Sequence, residues 1–330
     1  MINTKAVLAS RPEGMVKESD FKIETESIRD IGEGEILIQV KTLSLDPALR
    51  GWMNAGTTYI KGVEIGAVMR CFGAGEIIDS KHSDFQTGEF VTGLLGAQSF
   101  CISDGKGLAK CDLEKGPLSY HLGVLGMPGM TAYFGLLEKG KPQSGDTVFI
   151  SGAAGIVGST VGQIAKIKAC TVVGTAGSDE KCKYLIDECG FDFAINYKKE
   201  DVDQALKKHC PDGIHIFYDN VGGPLLDTAL LNLAKGARVV ICGAISQYNK
   251  NPIYGPHNYM KIVTARGYIT GIIVFDFIQE YPKAIDDISS WLSSGQMKTK
   301  EHFVEGIDAF PNALLMLFTG DNFGKLLLNI

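Results

Sequence analysis

Between residues 147 and 169 the chain reads TVFI, then SGAAGIVGSTVG, then QIAKIKA. This is a β-like run, a turn with glycines at 152, 155 and 158, and a helix-like run. No other stretch constrains the fold as much. A tight turn from a parallel strand into a helix leaves the first helical N–H groups unpaired. Those donors and the helix dipole favour a pyrophosphate. Glycines let the backbone turn sharply, approach the phosphate and pack the helix on the strand. The turn residues Gly152, Ala154, Gly155, Ile156, Val157 and Gly158 are therefore candidates for a phosphate cradle. The spacing is G-x-x-G-x-x-G rather than the usual G-x-G-x-x-G, so a glycine cluster that serves packing alone is the competing reading.

The surrounding pattern supports the cradle. From about residue 125, strand-like runs alternate with helical ones. TVFIS is followed by a helix near 156–169, TVVGTA, a helix from 178 to 189, FAINY and a helix near 201–209. HIFYDNV, a helix over 225–234, RVVICG and a last helix near 277–293 complete the series. This rhythm predicts an α/β doubly wound parallel sheet. Residues 1 to about 120 carry short strand-like pieces between glycine-rich turns, such as EILIQV, GEII and EFVTGL, and read as a β-rich domain. The tail GKLLLNI is β-like again, and its return to the first domain would make the parallel sheet an insertion.

An NAD site usually places Asp or Glu about 20 residues past the glycines, at the end of the second strand. Here that strand ends in GTAGS, without an acid. Asp179 and Glu180 follow Ser178, a good N-cap, and fit the first turn of a helix. Lys181 is placed to meet a 2′-phosphate, or else is a solvated surface lysine. NADP is expected over NAD.

Several function classes lack support. Net charge is −6 with no Lys/Arg-rich run, so there is no electrostatic footprint for nucleic acid. No apolar run approaches the ~18 residues of a membrane span, and the N-terminus lacks a signal-peptide core. A cytosolic protein is expected. The eight cysteines form no CxxC pair and read as free thiols in a reducing compartment. Val40–Arg70 holds neither Cys nor His, and no four-Cys loop is present, so no zinc site is expected. No Tyr is followed four positions later by Lys, the pair used by short-chain reductases.

Together the stretches GMPGMTAYFGLLEKGKPQSGDTVFISGAAGIVGSTVGQIAK, YDNVGG, ICGAISQYN, GDNFGK and LSLDPALRGWM resemble the zinc-independent medium-chain dehydrogenase/reductases. The resemblance is to their branch of prostaglandin reductases, plant alkenal double-bond reductases and bacterial curcumin reductases. It covers nearly the whole chain, in order. It implies a GroES-like β domain over 1–122, a Rossmann NADP-binding domain over 123–294 and a C-terminal return over 295–330. NADPH as cofactor and a homodimer joined through the Rossmann sheets are implied as well.

By motif, Ser178 and Lys181 in GSDEK and Tyr197 in INY match the 2′-phosphate ribose contacts. Asn220 and Asn322 match other cofactor contacts. Cys242, Gly243, Ala244 and Ile245 match the loop along the cofactor. Met127 and Thr131 match residues lining the nicotinamide. ARGYITGIIVFDF can be matched on GYI or on GIIVFD. The second choice, in which FDF leads into the last helix, puts the carboxamide contact at Ile273, Val274 and Phe275. Tyr248 matches a tyrosine near the nicotinamide ribose and substrate. Tyr59 matches a substrate tyrosine of plant and bacterial members, or is simply a loop aromatic. The implied reaction is metal-free reduction of the carbon–carbon double bond of an α,β-unsaturated aldehyde or ketone. An NADPH quinone reductase of the same superfamily, or a non-catalytic NADPH-binding protein, are the alternatives.

Overall fold

The computed structural model describes all residues, Met1–Ile330. The chain divides into two compact units, Met1–Gly123 with Glu301–Ile330, and Val124–Lys300.

In the second unit six strands form one sheet: Thr147–Ile150, Thr171–Ala176, Phe193–Asn196, Ile214–Asp219, Leu233–Ile241 and Tyr268–Gly271. Every pairing is parallel. In order of appearance the strands lie 3-2-1-4-5-6. Their Val- and Ile-rich runs suit a sheet covered on both faces. Phe149 and Phe217, on adjacent strands, stack with ring centroids 5.1 Å apart. In this doubly wound order, ligands bind outside the carboxyl ends of the strands where the order reverses. The reversal falls beside Thr147–Ile150, the strand that feeds the glycine turn.

The helix after that turn spans Ile156–Ile167 and is buried along most of its length. It lies close to the sheet because two of its residues have no side chain. A Cβ at Gly158 would fall 2.6 Å from the Gly152 carbonyl oxygen, and one at Gly162 would fall 2.0 Å from the Phe191 ring.

Three expectations need correction. The helix placed over 225–234 is Gly223–Leu231, and the following strand already begins at Leu233. Gly222 and Gly223, at φ +67 and +62, turn the chain early, and Pro224 supplies a preset helical φ. The helix near 277–293 is a 3₁₀ segment, Val274–Glu280, followed by an α-helix, Tyr281–Ser293. It is also not the last, because Phe310–Thr319 forms a further helix.

In the first unit a seven-stranded sheet holds Ile36–Ser44, Phe72–Ser80, Phe90–Gly93, Phe100–Ser103, Ala109–Lys110, Glu301–Glu305 and Lys325–Asn329. Ile2–Leu8 and Phe21–Ser27 pair as an antiparallel hairpin. The tail strand Lys325–Asn329 lies between Glu301–Glu305 and Ile36–Ser44, so the last residues complete the sheet begun by the first hundred. No helix is long and apolar enough to cross a membrane.

Candidate cofactor and active site

Gly155 is the N-cap of the Ile156–Ile167 helix, and no side chain caps it. The first-turn amides therefore have neither a helical acceptor nor a capping oxygen. Gly152 takes φ +59, a left-handed turn that glycine adopts without strain. The Ala153 amide donates to the Thr175 carbonyl at 2.9 Å, fastening the turn to the second strand. This turn, beside the reversal point of the sheet, offers amide donors without a capping side chain, which is what a diphosphate requires.

The expected 2′-phosphate corner lies at the ends of the second and third strands. The Ser178 hydroxyl caps the helix Asp179–Asp187, accepting from the Lys181 amide at 3.2 Å. Asp179 accepts from Asn196 Nδ2 at 2.6 Å and from Lys199 Nζ at 2.5 Å. Asp179, in the first helical turn, is thus paired with a cation, and Glu200 is engaged with the Asn196 amide at 2.8 Å. A half-exposed Tyr197 projects its hydroxyl to 2.9 Å from where a Cβ on Gly177 would sit. Ser178, Lys181 and Tyr197 are gathered here.

The next contacts converge on the fourth strand. Asn220 Nδ2 donates to the Ser151 carbonyl at 2.8 Å. The Cys242 and Gly243 amides donate to the Asp219 carbonyl, the Ile245 amide to Asn220 and the Ser246 amide to Val221. The loop over 242–246 is therefore zipped onto residues 219–221. Tyr248 folds back along that loop, and its oxygen accepts from the Ala244 amide at 3.1 Å. A Cβ at Gly243 would lie 2.8 Å from the same hydroxyl, so a side chain there would push the tyrosine oxygen aside.

Met127 and Thr131 share the helix Met127–Phe134. The Thr131 hydroxyl donates to the Met127 carbonyl at 2.8 Å, and the buried Tyr218 hydroxyl donates to the Thr131 carbonyl at 2.8 Å. Thr131 is nearly buried, with its hydroxyl engaged inside its own helix. Ile273, Val274 and Phe275 follow the end of the sixth strand. Ile273 is exposed and Val274 buried.

Tyr59 and Asn322 belong to the other unit. The Asn322 side chain donates to the Gly324 carbonyl at 3.2 Å, beside the tail strand. Tyr59 sits at an exposed loop tip, and its oxygen accepts from the Trp52 indole N–H at 3.1 Å. An indole can only donate, so the phenol's own proton is directed elsewhere. Sequence reading left Trp52, Ser151 and Asp219 without a role, although all three stand inside the quoted motifs. No three His, Cys, Asp or Glu side chains are grouped so as to hold a metal ion.

Two family profiles match the chain. One, described as the N-terminal domain of oxidoreductase, covers residues 4–111, and the other, zinc-binding dehydrogenase, covers 157–290. Prostaglandin reductase 1 of Rattus norvegicus is 41% identical, over 95% of this chain and 94% of its own. The NADP(+)-dependent 2-alkenal reductase of Nicotiana tabacum is 39% identical over 98% and 96%. The chain belongs to the medium-chain dehydrogenase/reductases, in the branch of the prostaglandin, alkenal and curcumin reductases. Among solved structures, CurA from Vibrio vulnificus in complex with NADPH superimposes with a TM-score of 0.93, at 39% identity over 99% and 98% of the two chains.

Proposed function

We propose that this medium-chain reductase is an NADP-dependent oxidoreductase. It reduces the carbon–carbon double bond of α,β-unsaturated aldehydes and ketones without a metal. The observation that carries the reading is the uncapped glycine turn at the sheet's reversal point, with Ser178, Lys181 and Tyr197 collected at the neighbouring strand ends. NADPH, when bound, supplies the hydride that the β-carbon of the substrate takes. The glycine-turn amides would hold its diphosphate, and Ser178, Lys181 and Tyr197 its 2′-phosphate. Asn220, Asn322, the 242–245 loop, Met127, Thr131 and residues 273–275 would hold the remainder.

As the β-carbon is reduced, negative charge develops on the carbonyl oxygen, and a positioned hydroxyl donor lowers that cost. Tyr248 is the first candidate and Tyr59 the second. In each, the phenol oxygen already accepts one N–H donor, which fixes the position of the oxygen. Tyr248→Phe is expected to lower turnover by about ten- to a hundredfold, the scale of one positioned donor. Steady-state kinetics with an enal checks this, and wild-type turnover in the variant removes Tyr248 from the mechanism.

The test of the reaction class is oxidation of NADPH and NADH by the purified chain with a medium-chain 2-alkenal, an enone and a quinone, each product identified by mass. A saturated carbonyl formed with NADPH supports the proposal. Hydroquinone as the only product moves the chain to quinone reduction, and binding without turnover to a non-catalytic role. A homodimer through the Rossmann sheet fits its edge strand, Tyr268–Gly271, where Tyr268 and Ile269 are exposed.

A cytosolic setting suits the eight free thiols. Enals alkylate thiolates, and this chain keeps its thiols protonated. Burial pushes Cys101, Cys170 and Cys189 up to about 11, and Cys111, Cys210 and Cys242 up to about 12. Cys71 and Cys182 are raised by the same cause. Burial disfavours the reactive thiolate in the folded chain relative to the unfolded one. Folded protein in excess 2-alkenal is therefore expected to gain adducts at least about tenfold more slowly than urea-unfolded protein. Intact-mass spectrometry follows both, and equal rates would refute the protection.

A further inference from the structure

Asp219 closes the fourth strand of the parallel sheet and is 0% exposed. Its Oδ1 accepts three hydrogen bonds: from the Ser151 hydroxyl at 2.7 Å and from the Val221 and Gly222 amides at 3.0 Å each. Its backbone carbonyl accepts two more, from the Cys242 and Gly243 amides at 2.9 and 3.1 Å. Oδ2 is buried and has no hydrogen-bond partner within the protein. One residue thus ties together the strand that enters the glycine turn, the turn that opens the Gly223–Leu231 helix, and the 242–248 loop. Ser151 passes the tie on, because its hydroxyl accepts from the Asn220 amide at 2.8 Å while its carbonyl accepts from the Asn220 side chain. A buried carboxyl with one crowded oxygen and one unpaired oxygen is costly in a fold. Burial pushes this carboxyl above the usual carboxylate range, against the pull of its donors.

We propose that Asp219 is a positioning residue of the cofactor site, holding Asn220 and the 242–248 loop where they meet the diphosphate and nicotinamide half of the dinucleotide. The proposal rests on the NADPH reading above. No bond of Asp219 reaches Ser178, Lys181 or Tyr197, so the 2′-phosphate corner is independent of it. Two ligands separate the halves. NADPH spans both, whereas adenosine 2′,5′-bisphosphate engages only the adenosine end.

The experiment titrates both ligands into full-length wild type, Asp219→Asn and Asp219→Ala, by calorimetry. Asp219→Ala strands three donors and is expected to weaken NADPH binding by about tenfold or more, with bisphosphate affinity held within about twofold. Asp219→Asn keeps an acceptor oxygen for the same donors and is expected to hold NADPH affinity within about threefold. In turnover, the alanine variant raises KM for NADPH more than it lowers kcat. Equal loss of both ligands would show a merely structural role and overturn the proposal, as would unchanged NADPH affinity in the alanine variant. If Asp219→Ala does not fold, Ser151→Ala removes the hydroxyl that donates to Asp219 and accepts from the Asn220 amide. It is then expected to weaken NADPH alone by about threefold or more, and unchanged affinity there overturns the proposal. A wild type that binds no NADPH would overturn the functional reading itself, and this inference with it.

Discussion

Replacing Gly158 with valine is expected to raise the Kd for NADPH by at least about a hundredfold, a loss of about 3 kcal/mol or more. Any Cβ at this position meets backbone: the Gly152 oxygen at 2.6 Å, the Ala153 Cα at 2.7 Å and the Ala153 carbonyl carbon at 3.0 Å. Backbone cannot swing aside as a side chain can, so either the helix lifts from the turn or the turn changes shape. Both outcomes scatter the first-turn amides that the diphosphate needs. Gly155→Ala supplies the contrast. Gly155 has φ −77, and a Cβ there meets only the Gly152 oxygen, at 3.5 Å. The alanine variant is expected to fold as the wild type does, so any loss of NADPH affinity in it reports close approach of the ligand. Titration of NADPH fluorescence measures both variants. Undiminished binding in Gly158→Val would mean that this turn is not the cofactor cradle.

Lys325→Ala is expected to destabilise the β-rich unit by about 3–5 kcal/mol. Lys325 is 1% exposed and its partner Asp46 8% exposed by side chain, with Nζ and Oδ1 2.9 Å apart. The ammonium also donates to the Leu45 carbonyl at 3.1 Å, and the Ser44 hydroxyl donates to the other Asp46 oxygen. Removing the lysine leaves a buried carboxylate with one neutral donor. Replacing both partners, as Asp46→Asn with Lys325→Met, removes the stranded charge and is expected to recover much of the loss. Urea unfolding in a Trp291→Phe background isolates the signal of Trp52, which lies in this unit. A loss below about 1 kcal/mol in the single variant would place the pair with surface ion pairs and refute the argument.

That ion pair also explains two of the motifs behind the family resemblance. LSLDPALRGWM and GDNFGK stand 279 residues apart at Asp46 and Lys325. Within the first motif, Arg50 donates to the Pro12 and Gly14 carbonyls and to Asn54. In this chain they fasten the N-terminal segment and the returning tail to the Asp46–Asn54 stretch. Composition and periodicity gave no hint of that pairing, since charge complementarity between distant residues leaves no local pattern.

Local signals account for what could be read in advance. The βαβ rhythm was legible because buried parallel strands must be continuous apolar runs and their helices must carry apolar stripes. Ser178 was legible as a cap because only a short polar side chain reaches back to the third amide. The boundary of Gly223–Leu231 was missed because a Gly-Gly-Pro start looks like a loop until its positive φ values are seen. Phe310–Thr319 was missed although Pro311 and Gly320 mark its ends, because apolar residues run right round its sequence and hide a helical period.

By itself the sequence determined the α/β class, the position of the glycine turn, the acid-free end of the second strand and the family. Each of these is written in residues close together along the chain. Only the tertiary structure decided the 3-2-1-4-5-6 order that puts the turn at the sheet's reversal point. Only it showed the neutralisation of Asp179 by Asn196 and Lys199, the orientation of Tyr59 by Trp52, and the convergence of three segments on Asp219. Each of these joins residues that no local pattern links, because the pairings are set by how the strands and loops are brought together once the chain has folded.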